Sequence, residues 1–492
     1  MKRAWIVAAA CVALLPVAAR AQDAKTVVAN ASKAMGVDSL NSIRFYGSGA
    51  NFGLGQSNNS NGEWPRTNLN DYSRAIDFAS STSRATAVTF VAPVTAPGAV
   101  QGVFQQNIGA AQNTWAQQLE IWTTPWGFLK GAAADNATAK SESMGGRRFQ
   151  VVTWMTTQKA PSGASYRVVG YINPQGLVER VETWLENPIF GDMLVESIYT
   201  EYRSGNGVMY PAKMLQKRGG QATFEVQVLG IETNPANIQA LVTPPPPAAG
   251  RAGGPPAGGP GAPGAPAGPT SEKLADGVYR INGAYNALAV EFKDHILLFE
   301  PGPQSEARAQ AIIAETKRVI PNKPIRYGVI SHHHFDHTSG LPAVVAEGIT
   351  IVTPQVNKAF LERALSAPRT LAPDTLSKSG KKPIVEGFVG DKRVFQDDTR
   401  TVEIHVVKGL PHADGLVIGY LPKEKILVYA DMFNLPPAAG PQVPNPPVVG
   451  TMVFADNIAR LNLTPERVMS IHNLNPDRLT TVAEINATLG RK

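Results

Sequence analysis

The sequence predicts a two-domain α/β protein: a β-rich first half, a linker, and a layered α/β second half. Three observations predict it. Residues 244–269 are almost purely Pro, Gly and Ala, and nothing there can build a core. The first half reads as alternating strands, whereas the second alternates strands with helices. All 8 histidines lie after residue 290, and all 7 tryptophans, Trp5 to Trp184, lie before the linker. The 492 residues, 43% hydrophobic and 17% charged, are enough for sizeable cores and exclude a largely disordered chain.

Residues 1–21 read as a signal peptide. Lys2 and Arg3 precede an apolar run, and Ala19-Arg20-Ala21 fits a cleavage site before Gln22. The expected location is therefore exported, periplasmic or secreted, with no integral membrane segment once the signal is removed. Cys11, the one cysteine, lies in this segment, so the mature chain has no disulfide and no thiolate ligand. The formal charge of +7 loses Lys2, Arg3 and Arg20 with the signal. That is too weak a footprint for a nucleic-acid partner.

Residues 22–243 are expected to form a β-rich accessory domain. A helix over 26–35 is followed by a meander whose strands include 165–172, 177–185, 198–203, 209–217 and 223–231. Asn173-Pro174-Gln175-Gly176 supplies a turn. The helix ending at Met35-Gly36 and the turns at Asn187-Pro188 and Tyr210-Pro211 weakly resemble periplasmic lipoprotein-carrier domains. That resemblance implies an apolar or envelope partner for this half.

Residues 270–492 alternate. Strands are expected at 277–281, 287–292, 296–300 and 325–331, with a helix over 305–319 whose Ala309, Ile312, Ile313, Thr316 and Val319 lie near one face. Further strands are expected at 349–353, 400–407, 416–421, 426–430 and 468–471. Helices are expected at 341–347, 354–365, 456–461 and 479–489.

His332-His333-His334-Phe335-Asp336-His337 follows directly on the strand ending at Ser331. In an extended loop residues two apart point the same way, so His332 and His334 can share one metal ion. Asp336 and His337 fall where the chain turns and can serve a second ion. Thr338 or Ser339 is expected to cap the next helix, with Pro342 in its first turn. His333 occupies a position facing away. His405 alternates out of phase with its apolar neighbours and is expected to be solvated, and His295 sits beside a turn.

This segment resembles the metallo-β-lactamase fold superfamily over roughly residues 275–490. The H-x-H-x-D-H loop carries the resemblance, with His412 in Leu410-Pro411-His412-Ala413-Asp414-Gly415, Asp431 at the end of Val428-Tyr429-Ala430-Asp431, and His472 after Val468-Met469-Ser470-Ile471. Ala430 and Asn473 stand where the family often has glycine. The resemblance implies a four-layer αβ/βα sandwich. It also implies two divalent metal ions, zinc by default with iron or manganese admissible. His332, His334 and His412 would hold one ion, Asp336, His337 and His472 the other, and Asp431 would bridge them.

The implied activity is hydrolysis of a small-molecule ester, lactone, thioester or phosphoester by a hydroxide activated at the metals, with Asp336 orienting it. Alternatives are a metal-dependent redox or sulfur enzyme of the same fold, a β-lactamase, or an envelope binding protein whose metal domain is vestigial. The proline-rich stretch 432–450 reads equally as a lid over the site, with Asn434 as a polar contact, or as a surface connection.

Overall fold

Apolar residues alternate with polar ones along strands that turn back on their neighbours, and the first half of the chain becomes one antiparallel sheet of eleven strands. The computed structural model describes residues 23–91, 100–245, 270–436 and 442–491. The expected signal peptide and most of the expected linker therefore lie outside the described residues. The sheet runs from Val100–Ile108 at one edge, through Ser42–Phe52 beside Gln221–Thr233 near its centre, to Thr138–Met144 at the other edge. It shares one core with the helix Ala24–Met35 and with two helices the alternation did not reveal, Trp115–Trp122 and Pro125–Ala134. Trp115 and Trp126 are fully buried there and serve the core.

The described residues of the second half form two sheets, of seven and five strands. Three apolar clusters separate four layers. One lies between the seven-stranded sheet and the helices Glu306–Val319, Leu341–Glu347 and Gln355–Leu365. One lies between the two sheets, with Phe292, Phe299, Val329 and Val428 at its centre. The third lies between the five-stranded sheet and the helices Val449–Arg460 and Val482–Ala487. Sheets and helices with one apolar face each reach this arrangement because every such face finds a partner. The chain is thus a two-domain α/β protein with the sandwich second. Among the described residues, no helix is long and apolar enough to cross a membrane.

Three local expectations are corrected. Thr338 and Ser339 do not cap the following helix: their hydroxyls donate back to His334 O and Phe335 O, bracing the turn Phe335–Thr338, and Gly340 takes the cap position. Pro342 does sit in the first turn. His405 is 5% exposed rather than solvated, hydrogen-bonded to Glu403 at 2.8 Å with Lys392 as its cross-strand neighbour. The helix expected from 456 begins seven residues earlier, at Val449.

Candidate metal centre

Strand ends place every candidate residue. The strand Ile325–Val329 leads into Ser331, whose carbonyl accepts from Val417 N–H of the five-stranded sheet, and the next six residues carry four of the candidates. His332, His334 and His412 bring one ring nitrogen each within 4.8 Å of one another; Asp336, His337, Asp431 and His472 form a second such group. His412 arrives on the turn before the strand Val417–Leu421, Asp431 ends Ile426–Tyr429, and His472 follows Arg467–Ser470. The last is pinned by a bridge to Tyr285, while Asn286 binds the backbone at Ser470 and Ile471.

Asp431 stands between the groups. Its Oδ1 lies 3.8 Å from His412 Nε2 and 3.1 Å from His472 Nε2, and its Oδ2 lies 2.9 Å from His337 Nε2. Both Asp431 and Glu300 have positive φ, 58° and 64°, a conformation sparsely used by side chains of this kind and frequent at functional sites.

The donor set fits divalent ions. His332 and His412 aim Nε2 at each other 3.3 Å apart, and His337 and His472 do so at 3.1 Å. Ring nitrogens about 2.0–2.1 Å from one tetrahedral ion stand at comparable separations. Asp431 Oδ2 is buried and faces the ring nitrogen of His337. The outer hydrogen bonds also select tautomers. His337 Nδ1–H donates to Glu300 Oε1 at 3.0 Å, which turns Nε2 toward Asp431. A carbonyl only accepts, so the 3.0 Å contact of His334 Nε2 with Ser57 O places the proton on Nε2 and leaves Nδ1 as the lone pair. His332, His334 and His337 are buried, whereas the side chains of Asp336 and His472 are 32% and 29% exposed, so the cluster opens on that side.

Burial and the neighbouring imidazoles push His332 well below the ordinary histidine range and His334 down to about 3; His412 is lowered chiefly by burial. His337 goes the other way: burial opposes its charge, but Glu300, Asp431 and Asp336 outweigh it and hold its pKa well above 6.5. At Asp336 burial works upward, yet His337 and the hydrogen bonds from His337 and Gln56 hold the carboxyl below its usual range. A testable consequence is an asymmetry in metal binding. At pH 7 the three-histidine group is neutral and takes an ion without losing a proton. The other group must expel the His337 proton, so its affinity rises with pH, about tenfold per unit while His337 remains protonated. Calorimetric titration in buffers of different ionisation enthalpy should show about one proton released at one of two binding steps. Release at neither step would contradict the charge assignment.

Sequence reasoning missed three contributors. Glu300 carried a signal: a carboxylate directly after the apolar run Ile-Leu-Leu-Phe implies a buried charge with a partner. Tyr285, whose hydroxyl donates to Asp336 Oδ2 at 2.9 Å, and Gln56, which donates to Asp336 Oδ1 at 2.9 Å, had none. His333 faces away from the cluster and donates to Ser57 O at 2.8 Å; His295 stacks on Phe292. The stretch after Asp431 begins with buried Met432 and Phe433 and an exposed Asn434, and residues 437–441 lie outside the described residues.

Residues 280–438 match the Metallo-beta-lactamase superfamily. Among solved structures, a metallo-beta-lactamase from Pontibacter korlensis is 18% identical, covering 45% of this chain and 97% of its own, with a TM-score of 0.34. The rubredoxin oxygen:oxidoreductase from Desulfovibrio gigas is also 18% identical, covering 45% of this chain and 60% of its own, with a TM-score of 0.33. A search of curated proteins finds no match. The superfamily match spans most of the second half of the chain and holds every candidate metal residue except His472, which lies beyond it.

Proposed function

We propose that the chain is an exported dinuclear metal hydrolase of ester-like bonds: an ester, lactone, thioester or phosphoester. The observation that carries this reading is the position of Asp431 between two complete donor groups. His332, His334 and His412 would hold one ion, Asp336, His337 and His472 the other, with Asp431 shared. Divalent ions held there supply Lewis acidity and water activation near neutral pH.

The chain's own residues do the rest. Glu300 fixes the ring of His337, and Ser57 O fixes that of His334. Gln56 and Tyr285 hold the two oxygens of Asp336, which faces the open side of the cluster and orients the attacking water. Asp431, standing between the two donor groups, would place its negative charge between bound ions, which would suit displacement at a carbonyl or phosphoryl centre.

The deciding experiment is metal analysis of the purified protein beside a panel of chromogenic ester, lactone, thioester, phosphodiester and β-lactam substrates. Two zinc ions per chain and turnover of an ester-like substrate faster than any β-lactam are expected. Faster turnover of penicillins or carbapenems would overturn the substrate class, and iron as the native metal would turn the reading to redox chemistry. Export predicts that protein recovered from its native envelope begins near Gln22; an intact Met1 on N-terminal sequencing would contradict it.

A further inference from the structure

The geometry points to a metal centre shared between the two halves of the chain, with Gln56 of the β-rich domain as a positioning residue for Asp336. The inference rests on the reading of the cluster as a metal site and goes beyond it, because it gives the first half of the chain a defined part in that site.

Residues 53–65 connect two adjacent strands of the eleven-stranded sheet. The connection is braced internally by Gly53 N–H to Pro65 O, Gln56 N–H to Gly53 O and Gly62 N–H to Asn59 O, at 3.0, 3.0 and 2.8 Å. It reaches two of the segments that carry candidate ligands, the His332–His337 loop and the turn of His412. Gly55 O accepts from Phe335 N–H at 3.2 Å, Ser57 O accepts from His333 and His334, and Asn58 O accepts from Asp414 N–H at 2.6 Å. The fit at Gly55 is close: its φ is +81°, and a Cβ there would lie 2.2 Å from the Phe335 ring. Phe190, from the same domain, packs edge-on against Phe335 and Phe360 at 5.3 and 6.2 Å.

Within this contact Gln56 has a specific task. Asp336 sits on the open side of the cluster, where a lone carboxylate would turn freely. Tyr285 holds Oδ2 from the metal domain, and Gln56 holds Oδ1 from the other domain, both at 2.9 Å. Both oxygens are thus fixed, which sets the plane of the carboxylate before an ion arrives. Outer partners of this kind are commonly worth 10- to 100-fold in metal affinity.

The test is stepwise Co(II) titration of the full chain, followed by its d–d absorption, for the wild type, Gln56→Ala and Asp192→Asn. Asp192 is the control for docking alone. It accepts from Thr370 N–H, the Thr370 hydroxyl and Leu371 N–H at the same domain boundary, away from the cluster. Gln56→Ala is expected to weaken one of the two Co(II) ions by about 10- to 100-fold and alter its absorption, with the other ion and the melting temperature unchanged. Asp192→Asn is expected to bind both ions as the wild type does. A Gln56→Ala chain with wild-type affinities and spectrum overturns the inference. So does an Asp192→Asn chain that weakens the same ion equally, since the effect would then belong to docking in general. A wild-type chain that takes up no Co(II) overturns the underlying metal reading instead.

Discussion

Asp431→Ala is expected to leave fewer than two ions per chain and to lower hydrolysis by at least about 100-fold. That floor follows because loss of an outer partner of a metal ligand already costs 10- to 100-fold, and Asp431 faces both donor groups directly. The substitution should not unfold the protein. Asp431 lies at a strand end, its side-chain partners are the candidate ligands His337 and His472 rather than core groups, and the carboxylate is held ionised chiefly by His337 against the cost of burial. Removing it also removes the charge that helps keep His337 protonated. Metal content by mass spectrometry and turnover of the best panel substrate check the prediction. Full occupancy of both sites in Asp431→Ala would show that the aspartate is not shared.

Glu300→Leu is expected to damage both the site and the fold. The carboxylate is fully buried and accepts from Ser331 N–H at 3.2 Å and from His337 Nδ1–H at 3.0 Å. Leucine leaves the Ser331 N–H buried without its acceptor, at about 1–3 kcal/mol, and leaves His337 Nδ1 only the weaker Ser331 hydroxyl at 3.2 Å. His337 also loses the partner that directs its Nε2 toward Asp431, so an ion at that group should bind about 10- to 100-fold more weakly. Glu300→Gln should recover part of both losses, because an amide oxygen can still accept from His337. Thermal denaturation and metal titration of the two variants check this. A leucine variant as stable and as metal-competent as the wild type would show that Glu300 is a bystander.

Much of the second half was legible because its signals are local. Period-2 and period-3.6 patterns placed the strands around 325–331, 416–421 and 426–430 and the helix Glu306–Val319 close to their observed bounds. The spacing of the H-x-H-x-D-H loop stated which side chains can share an ion, since direction in an extended loop depends only on sequence separation. The convergence of His412, Asp431 and His472 on that loop came from resemblance, because nothing local tells a strand end which other strand end it faces.

The sequence by itself determined the division into a β-rich and a layered half, the concentration of histidines in one of them, and the residue types able to hold metal. Tertiary structure alone decided the surroundings. It buried His405 by placing it beside Glu403 and Lys392, where alternation along one strand had suggested solvent. It joined Glu300 to His337 across 37 residues and Gln56 to Asp336 across 280. The physical reason is range. Backbone propensity and side-chain direction are set within a few residues, whereas the partner of a buried polar group is set by which surfaces pack together. A Gly, Ser and Asn-rich turn such as 53–62 reads as an ordinary loop until the two domains meet and its Gln56 and Ser57 find the ligands of the other half.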